Sequence, residues 1–242
     1  MRCGIIPVLV ASMALTGAVW AQLPSLEAER AKNLGVAYLE QDQPADGAAA
    51  FRRVVALAPE EPLGYADLGL SYIRIGKADS AFVWLQRARD LAPGNLDVLV
   101  LLAEAYLWAG DAASAEAVSS QALEVESDNH LALYASYRSA VVLRGSREAQ
   151  ARAAGHLARL YELRPENPVV VTKFARQCAE AGDIPKAAEA LARLKPLVPD
   201  LALPKKMLSR ADRAIAEGDT AGLRRATTLL ENVLRPSPRY KQ

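Results

Sequence analysis

The sequence has few of the residues that build metal, redox or catalytic sites. Its 242 residues include two cysteines and two histidines, and only 6% are aromatic. The histidines, His130 and His156, are 26 positions apart, and no cysteine or carboxylate accompanies them at metal-ligand spacing. A glycine-rich phosphate loop and a serine motif of the hydrolase type are also missing. We therefore expect no metal, no cofactor and no catalytic residue, and we predict that the protein is not an enzyme.

An excess of charge of one sign is also missing. Lysine and arginine number 29, aspartate and glutamate 28, so the formal net charge is +1. Proteins that bind nucleic acid generally carry a strong basic field, so we expect no nucleic-acid partner. Local charge clusters such as Lys205-Lys206 are interpreted as solvated helix faces.

The longest apolar run stands at the N-terminus. Arg2 is followed by an apolar stretch from Ile5 to Trp20, and Ala21 completes a small-residue cleavage site. This pattern is typical of a secretory signal peptide covering residues 1–21. The alternative is an uncleaved membrane anchor of residues 4–21, although the run is short for a spanning helix. We predict an exported protein, in a bacterial periplasm, that contacts membrane only through an uncleaved signal or an envelope complex.

Proline and glycine recur at a fixed interval in the rest of the chain. Pro59 and Pro93 are 34 residues apart, and so are Pro165 and Pro199. Because glycine permits a tight turn and proline cannot continue a helix, each period predicts a helix, a turn, a second helix and a stop. The glycines that lie 17 residues before positions 93, 127 and 199 are Gly76, Gly110 and Gly182.

Apolar residues recur at spacings of three and four within each half of a period, which puts them on one helix face. Small residues stand where the two helices of a pair would approach closely, as at Gly69 and Ala81. In the second period the apolar face consists of Tyr65, Leu68, Tyr72, Ala81, Leu85 and Ala88.

This pattern resembles the tetratricopeptide repeat, whose motif is matched at nearly every position between Pro62 and Asn95. The resemblance implies an all-α fold, a right-handed α-solenoid of about six antiparallel helix pairs. It is specific for the fold and only weakly specific for the function. The matching residues are Tyr65, Leu68, Gly69, Tyr72, Gly76, Ala81, Leu85, Ala88 and Pro93.

The register divides the chain into units of similar length. A fourth unit, residues 130–167, has four extra residues, which we place in a longer turn around Gly145. The last unit, residues 202–235, is a degenerate helix pair that we interpret as a cap. The remaining segments are a lead-in (22–27), regular units (28–61, 62–95, 96–129 and 168–201) and a tail (236–242).

Cys178 falls at the motif position of Tyr38, and we interpret it as a buried packing residue rather than a reactive thiol.

The resemblance implies that the first helices of successive units line a concave surface, with the motif residues directed into the packing. Leu70, Ile73 and Trp108 would form its apolar centre, and Arg138 and Arg176 a basic far half. Such a groove suits an extended or helical peptide with an acidic end. The candidate contacts are Leu63, Leu70, Ile73, Arg74, Glu104, Leu107, Trp108, Tyr134, Arg138 and Arg176.

Some members of the family hold a peptide's C-terminal carboxylate with lysine and asparagine on the first helices. Lys32 matches one of these positions, but Asp67 and Asp97 occupy two others and would repel a carboxylate. We therefore do not expect this mode of binding.

Three functions follow from the sequence, in decreasing order of preference. The first is a non-enzymatic scaffold or adaptor in the cell envelope that binds a protein or peptide in the concave groove. The second is a structural subunit of a permanent envelope assembly or secretion complex, with its outer face as the interface. The third is an enzyme that uses scattered carboxylates, and no convergent motif supports it.

Overall fold

The structure, a computed structural model, describes residues 26–143, 145–198 and 202–234, and every regular element in these ranges is an α-helix. The predicted signal peptide, residues 1–21, and the tail, residues 236–242, lie outside the described residues. None of the described helices has the length and apolarity that crossing a membrane requires.

Helices follow one another with short connections throughout the described chain. They are α1 (26–40), α2 (Pro44–Leu57), α3 (Pro62–Ile75), α4 (Ala78–Leu91), α5 (Leu96–Ala109), α6 (Ala112–Val125), α7 (His130–Val142), α8 (Arg147–Leu163), α9 (Pro168–Ala181), α10 (Ile184–Leu194), α11 (Ala202–Glu217) and α12 (Thr220–Leu234).

The helix lengths account for the 34-residue period. In the second repeat, α3 and α4 have 14 residues each, with two residues between them and four before α5. From the second repeat onward, each first helix has a start within the described chain. Those starts are Pro62, Leu96, His130, Pro168 and Ala202.

The turn inside a repeat requires a left-handed residue. Gly76 has a φ of 82°, and the N–H groups of Gly76 and Lys77 donate to the last carbonyls of α3. This closes the helix end without the steric penalty that a side chain would meet. In the first repeat the corresponding turn has no glycine, and Asp42 adopts the positive φ of 58° instead.

Asparagines begin three of the first helices. The Asn95 side chain accepts a hydrogen bond from the Val98 N–H at 3.1 Å. Asn129 and Asn167 each accept from two N–H groups of the following turn. An asparagine in this position satisfies backbone donors that the helix leaves free, so it fixes where the helix begins.

The extra residues of the fourth repeat are divided between its turn and its second helix. α7 ends at Val142 and α8 begins at Arg147, which leaves four residues between them instead of two. α8 also has 17 residues where regular second helices have 14. α8 keeps one buried face along its length, formed by Ala149, Ala153, Leu157 and Leu160, so the added residues continue a packed helix.

The described part of the chain forms two compact units, with the division in the sequence between Asp111 and Ala112. We call them the N-terminal unit, with α1 to α5, and the C-terminal unit, with α6 to α12. Within each unit the helices of a pair are packed together, and the first helix of a pair contacts the second helix of the preceding pair. The prediction of an all-α fold built from antiparallel helix pairs is confirmed.

The last helix pair departs from this order. α12 packs along α9, and α11 has only a limited contact with α10. Lys173, early in α9, pairs with Glu231, late in α12, whereas Arg224, early in α12, reaches the end of α9. The two helices are therefore antiparallel, and α9 lies between α10 and α12 in the C-terminal unit.

Close approach within a pair generates a first prediction. A Cβ atom on Gly69 would lie 2.5 Å from the Cγ atom of Leu85, which is fully buried. Gly69→Ala should therefore lower the free energy of unfolding by about 1–2 kcal/mol, although alanine is the better helix former. Urea denaturation measures the change.

The control for this substitution is Gly94→Ala, since a Cβ atom there meets nothing within 4 Å. We expect Gly94→Ala to change the unfolding free energy by less than about 0.5 kcal/mol. Equal stability of the two variants would contradict the close approach.

Candidate functional site

The first helices of the N-terminal unit present two neighbouring stripes of side chains. On α3 the positions 63, 67, 70 and 74 share one side, and on α5 the positions 97, 101, 104 and 108 do so. α3 and α5 are in contact, so the two stripes form one surface, which we call the N-terminal groove. Lys32 on α1 is close enough to α3 to influence the charge of Asp67.

Trp108 is the most exposed large side chain of the N-terminal groove. Its surface is 52% exposed, and its indole Nε1 donates a hydrogen bond to Glu104 Oε1 at 3.1 Å. Leu63, Leu70 and Leu107 are half-buried around the same surface. An exposed aromatic held in place by a hydrogen bond, with aliphatic side chains beside it, is the usual anchor of a protein interface.

Two residues that the sequence predicts to contact a ligand interact with other parts of the protein instead. Ile73 is only 6% exposed, so it belongs to the packed interior rather than to an accessible centre. The Nη1 group of Arg74 donates to the backbone carbonyl of Leu39 at 2.7 Å, which ties α3 to the end of α1. Leu63, Leu70 and Trp108 therefore supply the accessible apolar area.

Carboxylates lie on the same two stripes as these apolar side chains. Burial raises the pKa of Asp67 to about 6, Lys32 opposes this effect, and the carboxylates of Asp97 and Glu61 add to it. Below this pH the Asp67 side chain is a neutral hydrogen-bond donor, and above it a third negative charge joins Asp97 and Glu104. The N-terminal groove is thus apolar and acidic.

The first helices of the C-terminal unit, α7 and α9, carry aromatic and basic side chains rather than the carboxylates of the N-terminal groove. The rings of Tyr134 and Tyr137 are stacked with their centroids 6.1 Å apart, and the Arg138 guanidinium lies 5.9 Å from the centre of the Tyr134 ring. Lys173 Nζ lies 5.8 Å from the centre of the Tyr137 ring. These contacts hold the cations above aromatic faces.

Arg176, the last predicted contact, pairs with the chain's own C-terminal helix. Its Nε atom is 2.8 Å from Glu231 Oε2, while Lys173 Nζ is 2.6 Å from Glu231 Oε1. Arg224 completes the junction by donating to the carbonyls of Ala179 and Glu180 at 3.0 and 2.9 Å. α12 therefore covers the side of α9 that the repeat pattern predicts to face a ligand.

The repeat pattern does not predict these contacts between α9 and α12, which we call the α9–α12 junction. Glu231 pairs with a residue 58 positions earlier, and the repeat motif contains neither partner. One signal was available in the sequence. Glu231 interrupts the apolar face formed by Leu223, Ala226 and Leu230, and a carboxylate on such a face needs a partner.

Two cavities open beside α7 and α9 in the C-terminal unit. The first, of about 320 Å³, includes Tyr137, Gln150, Lys173, Arg176 and Gln177 in its lining. The second, of about 230 Å³, is mainly apolar and is lined by side chains near the start of both helices, including Leu131, Tyr134, Val169 and Val170. Side chains of a partner could enter either cavity.

The residues considered for chemistry are not brought together. His130 is exposed at the start of α7, whereas His156 is half-buried on α8, where burial lowers its pKa. Cys178 is buried in the C-terminal core, and burial raises the pKa of its thiol, which suits packing rather than reactivity. In the described ranges, no three His, Cys, Asp or Glu side chains are grouped as metal ligands.

Comparison with known families agrees with this architecture. Residues 72–137 match the model of the tetratricopeptide repeat. No curated protein matches the sequence.

Solved structures share the fold at low sequence identity. PilF of Pseudomonas aeruginosa is 13% identical, with a TM-score of 0.70 over 90% of this chain and 96% of that one. PilW, described as a widely conserved type IV pilus biogenesis factor, is 17% identical, with a TM-score of 0.63 over 89% of this chain and 95% of that one. A thermophilic tetratricopeptide-repeat protein of Thermus thermophilus is 16% identical, with a TM-score of 0.59 over 79% of this chain and 98% of that one.

The match over residues 72–137 covers the helices from the end of α3 to the middle of α7, and the helix pairs on either side keep the same architecture. Proteins of this kind are generally interaction scaffolds that use the extended surfaces of their stacked repeats. Residues 72–137 thus match the tetratricopeptide repeat, and the chain shares its fold with solved structures such as the tetratricopeptide-repeat protein of Thermus thermophilus.

Proposed function

We propose that the protein is a non-enzymatic scaffold of the cell envelope that binds a peptide segment of another protein along its first helices. The observation that carries this proposal is the exposed Trp108, which shares the N-terminal groove with the half-buried Leu63 and Leu70. A hydrogen bond to Glu104 orients the indole, so a partner meets a preorganised apolar anchor.

The charges around this anchor define the peptide that fits. Asp67, Asp97 and Glu104 lie in the same groove as these apolar side chains, so an acidic peptide would be repelled there. A segment with an apolar side chain flanked by lysine or arginine is complementary to it. From the sequence we predicted a peptide with an acidic end. Such an end would be complementary to the cations of the C-terminal unit, such as Arg138, rather than to the N-terminal groove.

The envelope location rests on two independent features. Residues 1–21 have the pattern of a secretory signal, with an anchor of residues 4–21 as the alternative. PilF and PilW share the fold over most of their length, and PilW is a type IV pilus biogenesis factor. A role in assembling a periplasmic or membrane-associated complex fits both features.

A permanent structural subunit is the second candidate. Val83 on α4 and Val125 on α6 are more than half exposed, and both belong to second helices, which face away from the first-helix surface. A subunit that is buried in an assembly would use such side chains as its interface.

Site-specific photocrosslinking in cells distinguishes the two. A photoreactive amino acid at Leu63 or Leu70 should trap a protein under the groove proposal, and Trp108→Ala should reduce that product at least tenfold. The structural alternative predicts a product from position 83 or 125 that Trp108→Ala leaves unchanged.

The matched control is Trp84→Ala on the second helix α4, which removes a half-buried indole outside the groove. Both variants are first checked for an unchanged helical circular dichroism spectrum. Loss of the groove product with Trp84→Ala but not with Trp108→Ala would contradict the proposed site.

Asp67 generates a prediction of its own. Its pKa of about 6 in the folded protein exceeds the ordinary value of 3.8, so folding favours the protonated carboxyl. The stabilisation that this proton provides is complete below about pH 4 and is lost as the pH rises through about 6. Asp67→Asn should therefore be more stable than the wild type by about 1–2 kcal/mol at pH 8 and equal to it near pH 4.

Urea denaturation at pH 4, 6 and 8 measures this difference. A stability difference that stays constant across the three values would show that Asp67 has an ordinary pKa in the folded protein.

A further inference from the structure

The outward side of the last helix pair contains a cleft bordered by arginines. α11 and α12 enclose a space of about 290 Å³ between Arg210 and Arg213 on α11 and Arg225 and Leu229 on α12. A Cβ atom on Gly222 would lie 3.4 Å from the Cβ of Ala214, so the helices nearly touch at the floor of the cleft.

These arginines contribute little to the packing of the described helices. Arg210 and Arg213 are exposed, and no ion pair joins either of them to another described residue. The Arg225 side chain is 72% exposed and approaches Asp219 only to 3.7 Å. The adjacent residue shows the contrast, because Arg224 donates two hydrogen bonds to the end of α9. α12 thus directs one arginine into the fold and the next one outward.

Apolar side chains continue the same surface. On α11, Lys206, Arg210 and Arg213 follow one another at spacings of four and three, so they share a side of the helix. On α12, Arg225, Leu229 and Val233 do so at spacings of four. Leu229 and Val233 are 42% and 39% exposed. We call these six residues the terminal surface.

The charge of this part of the chain differs from that of the rest. Residues 202–242 contain nine lysines and arginines against four aspartates and glutamates, whereas residues 1–201 contain 20 against 24. The net charge of the whole chain is near zero, but its C-terminal segment is basic. In the terminal surface, exposed cations of this segment lie on the same helix sides as apolar side chains.

We propose that the terminal surface docks an acidic, amphipathic segment of a partner protein. The guanidinium groups of Arg210, Arg213 and Arg225 suit carboxylates, because the planar fork of arginine can bind a carboxylate through two hydrogen bonds. Leu229 and Val233 receive the apolar side chains of the same segment. This site shares no residue with the N-terminal groove and does not depend on what binds there.

The composition of the surface favours a protein over an anionic membrane. Glu217 and Asp219 also line the cleft, and they would be repelled by a uniformly anionic lipid surface. α11 and α12 contain no aromatic residue, although aromatic side chains are enriched in helices that insert at a membrane interface. A protein segment, in contrast, can place donors opposite these two carboxylates.

The test uses a fluorescein-labelled synthetic helical peptide whose two faces consist of leucine and glutamate. We expect the purified protein to bind it, with an affinity that falls as salt rises. Arg210→Glu with Arg213→Glu should weaken binding at least tenfold in fluorescence anisotropy. The control, Arg53→Glu with Arg147→Glu, makes the same charge change at exposed arginines elsewhere and should alter binding less than twofold.

A second pair of measurements separates docking from simple charge attraction. A peptide with serine in place of leucine keeps its charge and should bind at least tenfold more weakly. Leu229→Ser should remove most of the difference between the two peptides, while circular dichroism remains unchanged.

Three outcomes would overturn the proposal. They are equal weakening by the test and control variants, equal affinity for the leucine and serine peptides, and binding to phosphatidylglycerol vesicles without binding to the peptide. The last result would identify the terminal surface as a membrane contact. None of the three concerns Trp108, so failure here leaves the groove proposal intact.

Discussion

Every helix pair of the N-terminal unit depends on one contact, in which a large side chain of the second helix lies directly against the backbone of the first. Leu85 fills the space above Gly69, and Phe51 fills the corresponding space above Gly35. Because no side chain stands in the way, the helices approach closely, and both large residues become fully buried. The angle of each pair then determines which residues of the first helix remain accessible.

The repeat pattern predicted the parts of the fold that follow from local chemistry. Gly76 ends a helix because it can adopt a positive φ, and the apolar spacing around Leu68 specifies the packed face. The caps made by Asn95, Asn129 and Asn167 could also have been recognised, since asparagine before a helix is a common start signal. Asp42 was harder to predict, because a non-glycine residue takes the left-handed turn there.

The candidate site was less predictable from the sequence, for a physical reason. A repeat register states which side of a helix a residue occupies, but not what else packs on that side. Ile73 was predicted to lie on the concave surface and is nevertheless buried, while Trp108, which stands one repeat position later, is exposed. Arg176 is paired with Glu231 from a distant helix. Long-range ion pairs of this kind leave no periodic signal in the sequence.

The junction between α9 and α12 also has a consequence for the order of folding. Lys173 and Arg176 cannot form their ion pairs until Glu231 has been synthesised, more than fifty residues later. The earlier helix pairs can form from neighbouring segments as the chain emerges, whereas the fifth pair completes its packing only when the polypeptide is nearly finished. The protein therefore assembles progressively for most of its length and is closed by its last helix.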